Sequence, residues 1–70
     1  MTDKFRDALA VDPQGFIDIV EMGHQIWEPA ELARWLETPQ RRWDGLSPID
    51  LITAERADDV LDVLEHFEVR

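Results

Sequence analysis

The stretch at residues 32–52, LARWLETPQRRWDGLSPIDLI, carries a helix stop, a turn and a helix start in unbroken succession. No other part of the chain constrains the fold as tightly. Leu32, Ala33 and Leu36 recur at helical spacing and make one apolar stripe. Pro39 ends that helix, because it pushes Thr38 towards extended geometry and has no backbone N–H to donate. Gly45 punctuates the loop. Ser47 is placed to cap the next helix, with Pro48 at its first position. Asp50 stands at the third position, where a carboxylate suits the helix dipole and completes an approximate capping box. A chain that spells out a helix end and a helix start this explicitly is built from helices joined by turns.

The rest of the sequence extends that pattern. Residues 3–10 can form a short opening helix with Phe5, Ala8 and Leu9 on one side. Asp12-Pro13 reads as an N-cap followed by a proline at the first position. From there Phe16, Ile19, Val20, Gly23, Ile26 and Trp27 recur at helical spacing. Gly23 weakens such a helix by ~1 kcal/mol relative to alanine, so it marks a close crossing or an early end. Glu28-Pro29 starts a third helix, and Thr53 is placed to cap the last one, with Glu55 in its first turn. Ala57, Val60, Leu61, Leu64 and Phe67 then form an apolar stripe. No period-two alternation is long enough for a strand. The predicted fold is all-α, a compact small bundle of four to five short helices in a single domain over residues 1–70.

Charge narrows the function classes. The chain has 16 acidic against 7 basic residues, a net charge of −9. Such a surface repels phosphate backbones and attracts basic protein partners, although the same charge also serves solubility. There is no cysteine, which excludes disulfides and thiolate metal sites. No apolar run approaches the ~20 residues of a membrane span, and Met1-Thr2-Asp3-Lys4 lacks the layout of a secretory signal. The expected location is the cytoplasm.

Catalytic chemistry finds no constellation. His24 and His66 are far apart in sequence, and Asp62 one turn before His66 offers only a weak pairing. Ser47 is absorbed by its capping role. The glycines are scattered, so no phosphate-cradling loop exists. Neither a metal nor a cofactor is expected, and the chain reads as no enzyme. Asp58, Asp59, Asp62 and Glu65 fan across the outside of the last helix, as a solvated face or as a docking face for basic residues. Trp27 and Trp35 fall near apolar helix faces and read as core. Trp43 sits in the loop beside Arg41 and Arg42, the most basic point of an acidic chain. It either plugs the open end of the core or anchors a partner, since tryptophan and arginine are enriched at interface hot spots.

The order Trp35-Leu36-x-Thr38-Pro39, then Gly45-x-x-Pro48-x-x-Leu51-Ile52, then Val60 and Leu64, resembles the toxin-binding domain of Xre/MbcA/ParS-type bacterial antitoxins. The resemblance spans residues 30–67, leaving residues 1–29 as additional N-terminal helices. Three departures stand out: Asp44 precedes a single Gly45, Trp43 stands where leucine is usual, and Arg56 replaces a glycine at the start of the last helix. Many relatives carry an N-terminal helix-turn-helix. Residues 1–29 are too few and too acidic for one, so direct nucleic-acid binding is not expected.

The resemblance implies a cognate protein toxin of the RES class, which consumes NAD. It also implies neutralisation by occlusion, with the antitoxin docked over the toxin's active-site cleft. The last helix and the tail Glu68-Val69-Arg70 become the blocking element. The partner-binding candidates are then Arg41, Arg42 and Trp43 in the loop, Asp58, Asp62 and Glu65 on the last helix, and Glu68 and Arg70 in the tail. Two other readings stay open. One is an acidic decoy of a basic nucleic-acid-binding protein, and the other is a self-associating helical subunit.

Overall fold

Asp3 and Asp12 set the first two helices. The computed structural model describes residues 3–67, and among them five α-helices and one 3-10 turn form, with no strand. Helix α1 (Lys4–Val11) starts where the Asp3 carboxylate accepts the Arg6 N–H at 3.0 Å. Asp12 closes α1 through its own N–H, bonded to the Ala8 carbonyl at 2.9 Å. Its carboxylate then accepts the Gly15 N–H at 3.0 Å and caps α2 (Pro13–Gly23). One residue therefore ends one helix and begins the next.

Helix α2 stops four residues short of the predicted Trp27. The N–H groups of Ile26 and Trp27 both return to the Gly23 carbonyl, at 3.0 and 2.9 Å, and turn the chain. Gly23 is also a close crossing: a Cβ there would run into the side chain of Leu32 on α3 (Pro29–Glu37). Beyond α3 the Thr38 hydroxyl donates to the Arg34 carbonyl at 2.7 Å, and a 3-10 turn follows at Arg41–Trp43.

Helix α4 (Pro48–Thr53) carries the predicted capping box in full. The Asp50 N–H donates to Ser47 Oγ at 3.3 Å, and the Ser47 N–H donates to Asp50 Oδ2 at 3.0 Å. Helix α5 (Ala57–Glu65) departs from prediction, because Thr53 does not cap it. Thr53 is the last residue of α4, and its hydroxyl donates to the Ile49 carbonyl at 3.0 Å. Arg56 stands at the N-cap with no side-chain cap, and Glu55 lies in the turn before it.

Helix α4 is the hub of the bundle. Pro48, Ile49, Leu51 and Ile52 are all buried, and α1, α3 and α5 each pack against it. Helix α2 lies along α1 and α5. Ala8 and Ile19 are fully buried, so α1 and α2 belong to the same core as Leu32, Leu36, Val60 and Leu64. Each large apolar side chain buried this way contributes about 1.5–3 kcal/mol. Leu9, predicted beside Ala8, is instead 43% exposed. Successive helical residues are turned by about 100°, and α1 is covered only along the stripe that meets α2 and α4.

Candidate functional site

The loop carrying Arg41, Arg42 and Trp43 is tightly bonded. The Gln40 N–H reaches the Leu46 carbonyl at 3.0 Å, and the Gln40 carbonyl accepts from Trp43 and Gly45 at 3.1 and 2.9 Å. Closing the loop takes two residues in the left-handed region, Asp44 (φ 53°) and Gly45 (φ 87°). Nothing lies within 4 Å of a Cβ built on Gly45, so backbone conformation and not space calls for glycine there. The frame leaves Arg41 and Arg42 exposed. Trp43 is half-buried and packs against the core, with the Arg42 guanidinium 5.9 Å from its ring centroid. Among the described residues neither arginine is ion-paired.

Asp58, Asp62 and Glu65 recur along one exposed face of α5. Asp59 is withdrawn from that set, because its carboxylate takes the Arg56 Nε at 2.9 Å. His66 Nδ1 lies 2.8 Å from the Asp62 carbonyl and 3.6 Å from Asp62 Oδ1. That carbonyl first, and then the Asp62 carboxylate, holds the imidazole above its ordinary pKa. Among the described residues no ion pair joins Arg41 or Arg42 to this stripe. Glu68 and Arg70 lie outside the described residues.

Trp27 and Trp35 are half-buried and pack against the core, as their place near apolar helix faces implied. Their rings stack at 4.9 Å with 27° between planes, and Phe67 meets Trp27 edge-on at 4.9 Å. Phe67 lies past the end of α5 and is 40% exposed. The early end of α2 places Trp27 in the turn between α2 and α3 and not on the helix itself.

A hollow of about 370 Å³ opens between α2 and α5, lined by Asp18, Glu21, Met22, Gln25, Leu61 and Glu65. Of the predicted contact residues that the structure describes, only Glu65 lines it. Sequence reasoning missed Asp18, Glu21, Met22 and Leu61 because it treated α2 only through its buried face. The signal was present: Asp18, Glu21 and Gln25 recur along one polar face of the same segment. Among the described residues no group of three or more histidine, cysteine or acidic side chains could hold a metal. No buried side-chain nitrogen or oxygen among them lacks a partner. Every local arrangement is a cap, a turn or a surface.

Residues 22–68 match the antitoxin Xre/MbcA/ParS C-terminal toxin-binding domain, over more than half of the chain. The chain belongs to this family. No curated protein and no solved structure matches it. The toxin-binding domain takes in α3, the 3-10 loop, α4 and α5, and begins at the end of α2. Domains of this family are generally non-enzymatic, and the family implies a cognate toxin as partner. The left-handed residue before α5 is Glu55 (φ 62°), while Arg56 at the N-cap has φ −120°.

Proposed function

We propose that this toxin-binding domain neutralises a RES-type, NAD-consuming toxin in the bacterial cytoplasm by docking over its active-site cleft. The observation that carries the reading is the family match over residues 22–68. The surface charge supports it: a net charge of −9 steers the chain towards the cationic pocket of an enzyme that binds a dinucleotide. In this reading Asp58, Asp62 and Glu65 face the toxin's cations, Glu68 and Arg70 extend the contact into the cleft, and Arg41, Arg42 and Trp43 form a separate contact. The chain then acts as a single domain, binding and not catalysing, with no cofactor of its own. No described helix is long and apolar enough to cross a membrane.

The test is NAD consumption by a RES-type toxin with and without the chain, alongside an affinity measurement. Replacing Asp58, Asp62 and Glu65 together by lysine is expected to weaken binding by roughly tenfold or more while leaving the helical signal intact. Unchanged affinity would remove the electrostatic part of the proposal. The net charge also favours an acidic decoy of a nucleic-acid-binding protein. Binding that DNA competes away, with no effect on NAD consumption, would put that reading first. Sedimentation of the free chain separates both from self-association.

A further inference from the structure

The hollow between α2 and α5 owes its shape to the way the two helices meet. They run parallel and touch near their starts at Gly15 and Ala57, where a Cβ on Gly15 would sit 2.8 Å from the Ala57 Cβ. One to two turns further along each helix the gap opens to about 370 Å³, room for on the order of ten waters. Met22 and Leu61, both half-buried, supply its apolar part. Asp18 and Glu21 stand on the α2 side and Glu65 on the α5 side, with the Gln25 amide at the end.

Among the described residues no salt bridge offsets the charge there, and the titratable base next to Glu65 is His66, whose pKa that carboxylate helps to raise. Lys4, Arg6 and Arg56 are engaged with Asp50, Asp3 and Asp59. Among the described residues no cation pairs with Asp18, Glu21 or Glu65. The one described side-chain hydrogen bond to this set comes from an uncharged donor, Gln14 Nε2 to Asp18 Oδ1 at 2.8 Å. Because the helices are parallel, their C-termini lie towards the same end, and neither last turn contains a basic residue. The partial negative charge of both helix dipoles therefore adds to that of the carboxylates.

Apolar and anionic side chains lining one hollow together select a ligand that is apolar along its stem and cationic at its tip. We propose that this hollow receives an arginine side chain of the toxin. Its methylenes lie on Met22 and Leu61, and its guanidinium spans Glu21 and Glu65 on opposite walls. A planar fork can bond two facing carboxylates at once and is less strongly hydrated than an ammonium, which favours arginine over lysine. A bare metal ion would leave the apolar side chains unused, and a nucleic acid is repelled. This inference rests on the antitoxin reading and extends its contact surface from α5 across to α2.

The experiment is a ¹H–¹⁵N correlation NMR titration of the chain with N-acetyl-arginine methylamide, with the norleucine analogue as the apolar control. Saturable shifts confined to residues 18–25 and 61–65 are expected with the arginine probe and not with the control. They should vanish in the double variant Glu21→Gln, Glu65→Gln, whose circular dichroism should be unchanged because both positions are exposed. Shifts that spread equally over Glu31 and Asp58, that survive in the double variant, or that do not occur would overturn the proposal. The same variant should bind a RES-type toxin at least tenfold more weakly. If it inhibits the toxin as well as the unsubstituted chain does, the groove assignment falls and the antitoxin reading stands. If the unsubstituted chain inhibits no RES-type toxin, the antitoxin reading falls with the toxin as occupant, while the titration still decides the groove's preference for arginine.

Discussion

Before α4 the chain turns through Asp44 (φ 53°) and Gly45 (φ 87°), and after α4 it turns through Glu55 (φ 62°). Both turns need the left-handed region, which costs an ordinary residue about 1 kcal/mol. The first fills it with residue types that accept it: aspartate tolerates the region and glycine enters it freely. The second places a glutamate there, although its hydrogen bonding is that of a standard glycine-terminated helix end. The Glu55 N–H reaches the Ile52 carbonyl at 3.0 Å, and the Arg56 N–H reaches the Leu51 carbonyl at 2.8 Å. Both turns adjoin the core, since buried Ser47, Pro48 and Ile49 follow the first, but only the second relies on it to hold an ill-suited residue. Leu51 and Ile52 before Glu55, and Val60 after it, are fully buried. At about 1.5–3 kcal/mol for each buried side chain, packing on both sides outweighs the strain of one residue. The first turn is favoured by its own residue types as well as by packing, and the second by packing alone.

The strongest challenge to that contrast is Ile52→Ala. It removes a fully buried side chain at the edge of the second turn, and a loss of about 3 kcal/mol is expected. A domain this size has ~4–10 kcal/mol in all, so urea titration should show a large drop in midpoint. A loss below ~1 kcal/mol, well under the usual cost of such a truncation, would mean that burial does not hold the second turn. Ser47→Ala tests the first turn in the same assay. It leaves the Asp50 N–H without the Ser47 hydroxyl, and should cost about 1 kcal/mol.

Exchanging glycine between the turns sharpens the comparison, with smaller effects of opposite sign. Gly45→Ala meets no neighbour within 4 Å, so its expected cost is the left-handed strain alone, about 1 kcal/mol. Glu55→Gly relieves that strain and should raise stability by about 0.5–1 kcal/mol. Midpoints that move in the same direction would break the claim that the two turns share one backbone problem.

The same contrast explains what the sequence could and could not disclose. Asp12-Pro13 and the segment from Thr38 to Asp50 were legible because cap, proline and glycine act on their immediate neighbours. The start of α5 was not, because nothing local marks it. Thr53 looks like a cap, yet Leu51 and Ile52 must reach the core, and α4 continues through Thr53 to place them there. Glu55 looked like a first-turn acid for the same reason. Trp27 falls outside α2 because Gly23 ends that helix against Leu32, a tertiary contact that no helical periodicity contains. Of the candidate surface, the acidic stripe on α5 was readable from spacing within one helix. The hollow it shares with α2 was not, since that depends on Gly15 and Ala57 letting two distant helices run side by side.

The smallest expected effects come from pH, and they divide the two ends of the α4–α5 unit. The Ser47 N–H, bonded to the Asp50 carboxylate, holds that carboxyl below its ordinary value of 3.8, burial works against the shift, and the Ser47 hydroxyl and Lys4 reinforce it. A depressed pKa means the contribution is complete above 3.8 and is lost as pH falls through the lower folded value. Asp50→Asn should therefore flatten stability against pH in the most acidic range. At the far end His66 runs the opposite way, its pKa raised above 6.5 by the Asp62 carbonyl and carboxylate. Its contribution is complete below 6.5 and is lost as pH rises through the higher folded value. The side chain is exposed to solvent, so the effect should be slight and should shrink further with salt. A pH series of urea midpoints for Asp62→Asn should lose the carboxylate's part of this slope while keeping the carbonyl's. A slope above pH 6.5 unchanged in Asp62→Asn would leave the Asp62 carbonyl as the sole anchor of His66.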